Sequence, residues 1–249
     1  MLSVNCNNIK FLMRKELNGY FSSPIGYVII SVYILLTFGT TFFIGNFFGA
    51  GQASLRSMFL FQPWIFLFLI SAIGMRLWAE EKNTGTIELL FTLPIRTPEM
   101  VISKFLAGWL FAGLALLLTF PLFITVVFLG SPDLGQIFSG YLGAFLMCGA
   151  YLSVCCLTSC LTRNQVISFV LSISFNFLIL LIGWGVLTET LSSILPISFV
   201  DALAFFSYSS RFESISRGVI DSRDLIYFGS FIITMLFFNT LLLDNLKKK

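Results

Sequence analysis

The chain has 249 residues, 57% hydrophobic and 11% charged, with 30 Phe, no His and a formal net charge of +3. A soluble domain carries about 25% charged residues, so this composition, with a mean hydropathy of +0.93, excludes a soluble enzyme and places the chain in a bilayer. The missing His removes the usual general base, and with it the Ser-His dyad of an intramembrane protease.

In chain order, residues 8–24, "NIKFLMRKELNGYFSSP", put Ile9, Leu12, Met13 and Leu17 on one side and Lys10, Arg14 and Lys15 elsewhere. That spacing predicts a short interfacial helix within 1–24, with a frayed basic terminus as the alternative. Gly19 and Pro24 then turn the chain into the first of six apolar runs, 25–46, 58–78, 105–129, 137–162, 166–187 and 225–243. Each can cross the roughly 30 Å of hydrocarbon as a helix at about 1.5 Å per residue, because backbone groups in lipid must bond within their own segment. The first run is too long for a signal-peptide core, and "FGAGQA" after it is a weak cleavage site, so it is expected to be retained.

An even number of spans puts both termini on one side. Eleven of the fifteen basic residues fall on that side (Lys10, Arg14, Lys15, Arg76, Lys82, Arg96, Lys104, Arg163, Lys247, Lys248, Lys249) and four on the other (Arg56, Arg211, Arg217, Arg223). The positive-inside bias therefore predicts cytoplasmic termini, and makes the loop 79–104 cytoplasmic too. The net charge follows from this bias and gives no reason to expect nucleic acid.

The loop 79–104 concentrates polar residues, holding Glu80, Glu81, Glu88 and Glu99 of twelve acidic residues. Gly85 is placed to cap a short helix with Glu88 at its third position, where a carboxylate meets the positive end of the helix. Ile87, Leu90 and Phe91 would form an apolar patch, and Pro94 and Pro98 would end the element. An amphipathic helix with a charged rim suits docking into a groove of another protein.

In the third run Pro121 is expected to kink the helix, either to fit a neighbour or to gate. The fourth run holds Cys148, Cys155, Cys156 and Cys160, with Gly140, Ala144, Cys148, Cys156 and Cys160 on one i+4 stripe broken by Leu152. Without His or a carboxylate in the run, close helix packing is the expected role of these small residues, and no metal site is expected. In the fifth run Ser168, Ser172 and Asn176 form a polar stripe. Interhelical hydrogen bonding and lining of a transport path both fit it. The long outer connection, 188–224, places Phe212, Ile215 and Val219 at helical spacing with Gly218 near the likely stop, and predicts a short interfacial or partly re-entrant helix. It could serve as a packed lid or in substrate recognition. No repeat or soluble domain interrupts 1–249, which reads as one membrane domain.

No catalytic residue stands out, and no G-x-x-x-x-G-K-[ST] phosphate loop is present. Intramembrane acidic pairs that would mark a proton path are also missing, so any energy source is expected to lie elsewhere.

At this point the residues resemble a family. "EEKNTGTIELLFTLPI" (Glu80 to Ile95), after a hydrophobic span and before "PEMVISKFLAGWL", resembles the signature region of ABC-2 type permeases, the membrane subunits of ABC exporters. "RFESISRGVIDSRDLIYF" (Arg211 to Phe228) is similar to the end of the outer loop in the branch that includes gliding-motility permeases. The resemblance spans nearly the whole chain. It implies an all-α polytopic membrane protein of type V exporter fold, with six transmembrane helices, an N-terminal interfacial helix and a cytoplasmic coupling helix after helix 2. Carried onto this sequence, the coupling element is Glu80, Glu81, Gly85, Thr86, Glu88, Leu89, Leu90 and Pro94, and Ser168, Ser172 and Asn176 gain weight as path lining, since helices 2 and 5 line the path in that fold. It further implies a second permease subunit, identical or homologous, and separate ABC ATPase subunits that bind the ATP and Mg, in a bacterial inner membrane. This chain itself would bind no cofactor. The rival readings are an ATPase-linked membrane anchor or mechanical scaffold of an envelope machine, and a secondary carrier.

Overall fold

Apolar runs with no water to bond to can satisfy their backbone only as helices, and the computed structural model of the chain, which describes residues 6–45, 47–49, 51, 53–184, 192 and 206–247, has no strand among those residues. The helices are α1 (Cys6–Ser22), α2 (Pro24–Gly39, continued by a π-helical turn at Thr40–Ile44), α3 (Arg56–Gly74), α4 (Ala79–Thr84), α5 (Thr86–Thr92), α6 (Thr97–Leu117), α7 (Phe120–Leu129), α8 (Leu134–Leu161), α9 (Gln165–Ile182), α10 (Tyr208–Ser216) and α11 (Ser222–Lys247). Six stretches, Pro24–Ile44, Arg56–Thr84, Thr97–Leu129, Leu134–Leu161, Gln165–Ile182 and Ser222–Lys247, are long and apolar enough to cross a membrane. The chain is an all-α polytopic membrane protein.

Short polar residues set the helix starts. The Ser23 hydroxyl accepts from the Ile25 N–H before Pro24 opens α2, Asp133 Oδ1 accepts from Gly135 and Gln136 N–H at 2.9 and 3.2 Å to open α8, and Asn164 Oδ1 accepts from Val166 N–H at 2.8 Å to open α9.

The central element is α8, which packs against α3, α6, α9, α10 and α11. Its small residues admit close neighbours: a side chain on Gly140 would strike the Phe59 ring, and one on Gly74 of α3 would strike Cys155. All four cysteines of the stripe and its surroundings are buried there. Tyr151 of α8 donates to the Pro63 carbonyl inside α3 at 3.2 Å, tying the two helices where the proline interrupts the backbone ladder.

Two boundaries differ from the sequence reading. Pro98 begins a helix instead of ending one: it occupies the first turn of α6, where a missing N–H costs nothing, so α6 starts at Thr97 and takes in residues assigned to the loop. The third span breaks instead of kinking, ending α6 at Leu117 and restarting as α7 with Pro121 in the first turn. Tyr141 covers the gap, its hydroxyl 3.0 Å from Thr119 Oγ1 and 3.3 Å from the Thr119 carbonyl. Of the outer connection 188–224, residues 188–191 and 193–205 lie outside the described residues, as do the expected end of the fifth span beyond 184, residues 1–5 and Lys248 and Lys249. In α10, Phe212 and Ile215 are buried against α8 and α3 as the spacing predicts. Val219 is 60% exposed, because the helix stops at Ser216 and Gly218 turns the chain with φ +97°.

Candidate functional site

α1, α4, α5 and the last turns of α11 meet at one end of the bundle. Thr97 donates to Asp244 Oδ1 at 2.5 Å, Asn8 donates to Glu99 Oε2 at 3.0 Å, and the Lys247 ammonium lies 6.0 Å from the Phe91 ring. Here α3 stops at Gly74 and turns through residues 75–78 into α4. A single hydroxyl pins that turn: Ser159 Oγ on α8 accepts from Trp78 and Ala79 N–H, both at 3.0 Å, and donates to the Met75 carbonyl at 3.1 Å. Trp78 is fully buried, and the Lys82 ammonium donates to the Cys160 carbonyl at the end of α8.

Gly85 ends α4 and starts α5 in one residue. Its φ of +75° lies in the left-handed region that a side chain disfavours, and the reversal it makes sets the two short helices against each other. Glu88 takes the third position of α5, as its spacing from Gly85 predicts, and is exposed.

The apolar patch of α5 points the other way from its expected docking role. Leu90 is 8% exposed, and Ile87 and Phe91 pack against the core, because an amphipathic helix beside its own membrane domain covers its apolar face there first. The exposed ridge is instead Leu89, 68% exposed, and Leu93.

The eight residues of the expected coupling element thus divide in two. Gly85, Thr86, Glu88, Leu89 and Pro94 are exposed. Glu80, Glu81 and Leu90 are used by the fold itself: Glu80 accepts both Arg76 Nε at 2.8 Å and Nη2 at 3.1 Å, and Glu81 lies 2.8 Å from the Lys104 ammonium. Beside them an open cleft of about 270 Å³ separates α1 from the α3–α4 turn, lined by Glu16, Tyr20, Arg76, Leu77 and Glu80. Burial, reinforced by the Glu16 carboxylate, holds the Tyr20 phenol well above its ordinary pKa, so it stays neutral there.

Ser168, Ser172 and Asn176 are fully buried on α9, which packs against α3 and α8 and also touches α4. Ser172 pairs with Thr158 at 2.6 Å. Asn176 donates toward the Tyr151 carbonyl at 3.5 Å and the Cys155 sulfur at 3.4 Å, and accepts from the Tyr208 hydroxyl of α10 at 3.3 Å. Ser168 Oγ makes no hydrogen bond among the described residues.

Sequence reasoning missed Ser159 and the buried role of Lys104. The signal for Lys104 was present, a lysine inside an apolar helical run, which in a membrane protein calls for a buried partner. Ser159 gave none, being one hydroxyl among the small residues of its helix. Among the described residues no group of three His, Cys, Asp or Glu is placed to hold a metal ion.

Six stretches long and apolar enough to cross a membrane, with the short helices α4 and α5 at one end, define a multi-pass membrane protein. The family described as ABC-2 family transporter protein matches residues 51–242, and the chain belongs to it. It is accordingly a membrane permease component of an ABC transporter, a family that works with ABC ATPase subunits and is not itself the catalytic subunit. No curated protein matches the sequence.

Proposed function

We propose that this chain is the permease subunit of an exporter in a bacterial inner membrane, with both termini cytoplasmic, and that α4, Gly85 and α5 form the element through which a separate ATPase drives it. The observation that carries this reading is the knob itself. Glu88 and Leu89 of α5 and Leu93 just after it are exposed, while the turn behind them is fixed to α8 by Ser159 and α4 is fixed to α6 by Glu81 and Lys104. A force applied to the exposed ridge would therefore be delivered to α3, α6 and α8 together. ATP and Mg would be bound by the ATPase, and a second permease subunit, identical or homologous, would complete the path. In this reading Ser168, Ser172 and Asn176 act first as helix-to-helix bonds and reach the path only if α9 turns from α8 during transport.

The mechanical scaffold is a second reading. It is supported by the likeness of Arg211 to Phe228 to gliding-motility permeases, and cargo-stimulated ATP hydrolysis would count against it.

The coupling assignment is tested by Glu88→Lys in vesicles reconstituted with the ATPase. Reversing the charge on the exposed rim should lower permease-dependent ATP hydrolysis by roughly tenfold, a typical span for charge changes at an interface. Unchanged hydrolysis would defeat the assignment.

A further inference from the structure

Lys104 is 4% exposed, although it is a charged side chain inside an apolar helix. Its ammonium is 2.9 Å from Glu16 of α1 and 2.8 Å from Glu81 of α4, and it lies 5.1 Å from the centroid of the Trp78 ring in the α3–α4 turn. A cation buried this deeply persists only where its partners surround it. The dependence runs the other way too, since the second oxygen of Glu81 is buried with no hydrogen bond among the described residues, so Lys104 is the main cation holding this carboxylate, with Lys15 of α1 adding a weaker attraction. One ammonium is thus the shared counter-ion of two carboxylates on two different elements. Without it, two negative groups would face each other across the α1–α4 junction.

We infer that Lys104 is a positioning residue that clamps the surface helix α1 to α4, so that α1, α4 and the start of α6 move as one body. The purpose given to the clamp rests on the reading of α4 and α5 as the coupling element: a displacement of α4 would carry α1 with it along the membrane surface. The clamp itself depends only on the ion pairs. Glu99, earlier on α6, accepts from Asn8 and adds a second tie between α1 and α6.

The chain carries a handle for the test. Cys6 on α1 is exposed, whereas Cys148, Cys155, Cys156 and Cys160 are buried. Spin labels on native Cys6 and on Asn83→Cys, an exposed position of α4, report the α1–α4 distance in the full chain in lipid nanodiscs. The parent should give one narrow distance. Lys104→Met should lose it and spread into a broad distribution, and Lys104→Arg, which keeps the charge, should retain it. Glu16→Lys, which sets two ammonium groups against each other while leaving Lys104 in place, should broaden it as well, and it decides the matter if Lys104→Met is not recovered folded. A distribution as narrow as the parent's in Lys104→Met, or in Glu16→Lys, would overturn the clamp. No ATPase enters these measurements. If the distances behave as stated but the parent binds no ABC ATPase, the coupling assignment falls and the clamp stands.

Discussion

Asn176 of α9 stands where α8, α9 and α10 meet, and its amide is divided between α8 and α10. Inside a membrane such contacts are worth about 0.6 to 2 kcal/mol each. Asn176→Leu keeps the branched shape, with bulkier methyl groups in place of the amide, but leaves the Tyr208 hydroxyl buried without its acceptor, so it should lower thermal stability in detergent by about 1 to 2 kcal/mol. Loss of transport with stability unchanged would instead point to path lining. The polar stripe was legible as a stripe because i, i+4 spacing survives in any helix. Its partners were not, because Thr158, Cys155 and Tyr208 are distant in sequence and come together only through packing. The same holds for Lys104, whose place in an apolar run signals a partner but cannot name Glu16 and Glu81.

At the scale of elements, short-range rules read well and competing ones did not. Gly85 as a cap and Glu88 at the third position followed from local chemistry, and both positions are as expected. Pro98 obeys two rules at once, since proline both ends a helix and opens the next, and the strong apolar run after it favoured opening. The face of α5 was misread because an amphipathic pattern shows that a face will be covered without saying by what. The turn between α4 and α5 needs a residue tolerant of positive φ. Gly85→Val should cost roughly 1 to 2 kcal/mol or force the turn to rebuild, and limited proteolysis between residues 83 and 93 should speed up. Gly85→Asn, which enters the left-handed region more readily, should stay close to the parent. Equal cleavage in all three would show that this turn is not strained by a side chain.

At the scale of the molecule, composition alone was enough for a helical membrane protein, and the spacing of apolar runs placed all six stretches to within several residues except where α6 begins early. Which way the bundle sits rests on the distribution of Lys and Arg. Cys6 makes that testable, as it is exposed at the end shared by α1, α4 and α5. In intact cells a membrane-impermeant maleimide should leave Cys6 unmodified, and permeabilisation should expose it. Labelling before permeabilisation would invert the topology and remove α5 from reach of a cytoplasmic ATPase.

The central claim is that the exposed ridge of α5 receives an ABC ATPase. The most direct measurement is affinity purification of the chain from its native membrane, beside Leu89→Asp, which alters an exposed position and leaves the core intact. The account predicts that an ABC ATPase copurifies with the parent and is lost from the variant while both remain folded. An ATPase retained equally by Leu89→Asp, or absent from the parent under conditions that keep membrane complexes whole, would contradict it.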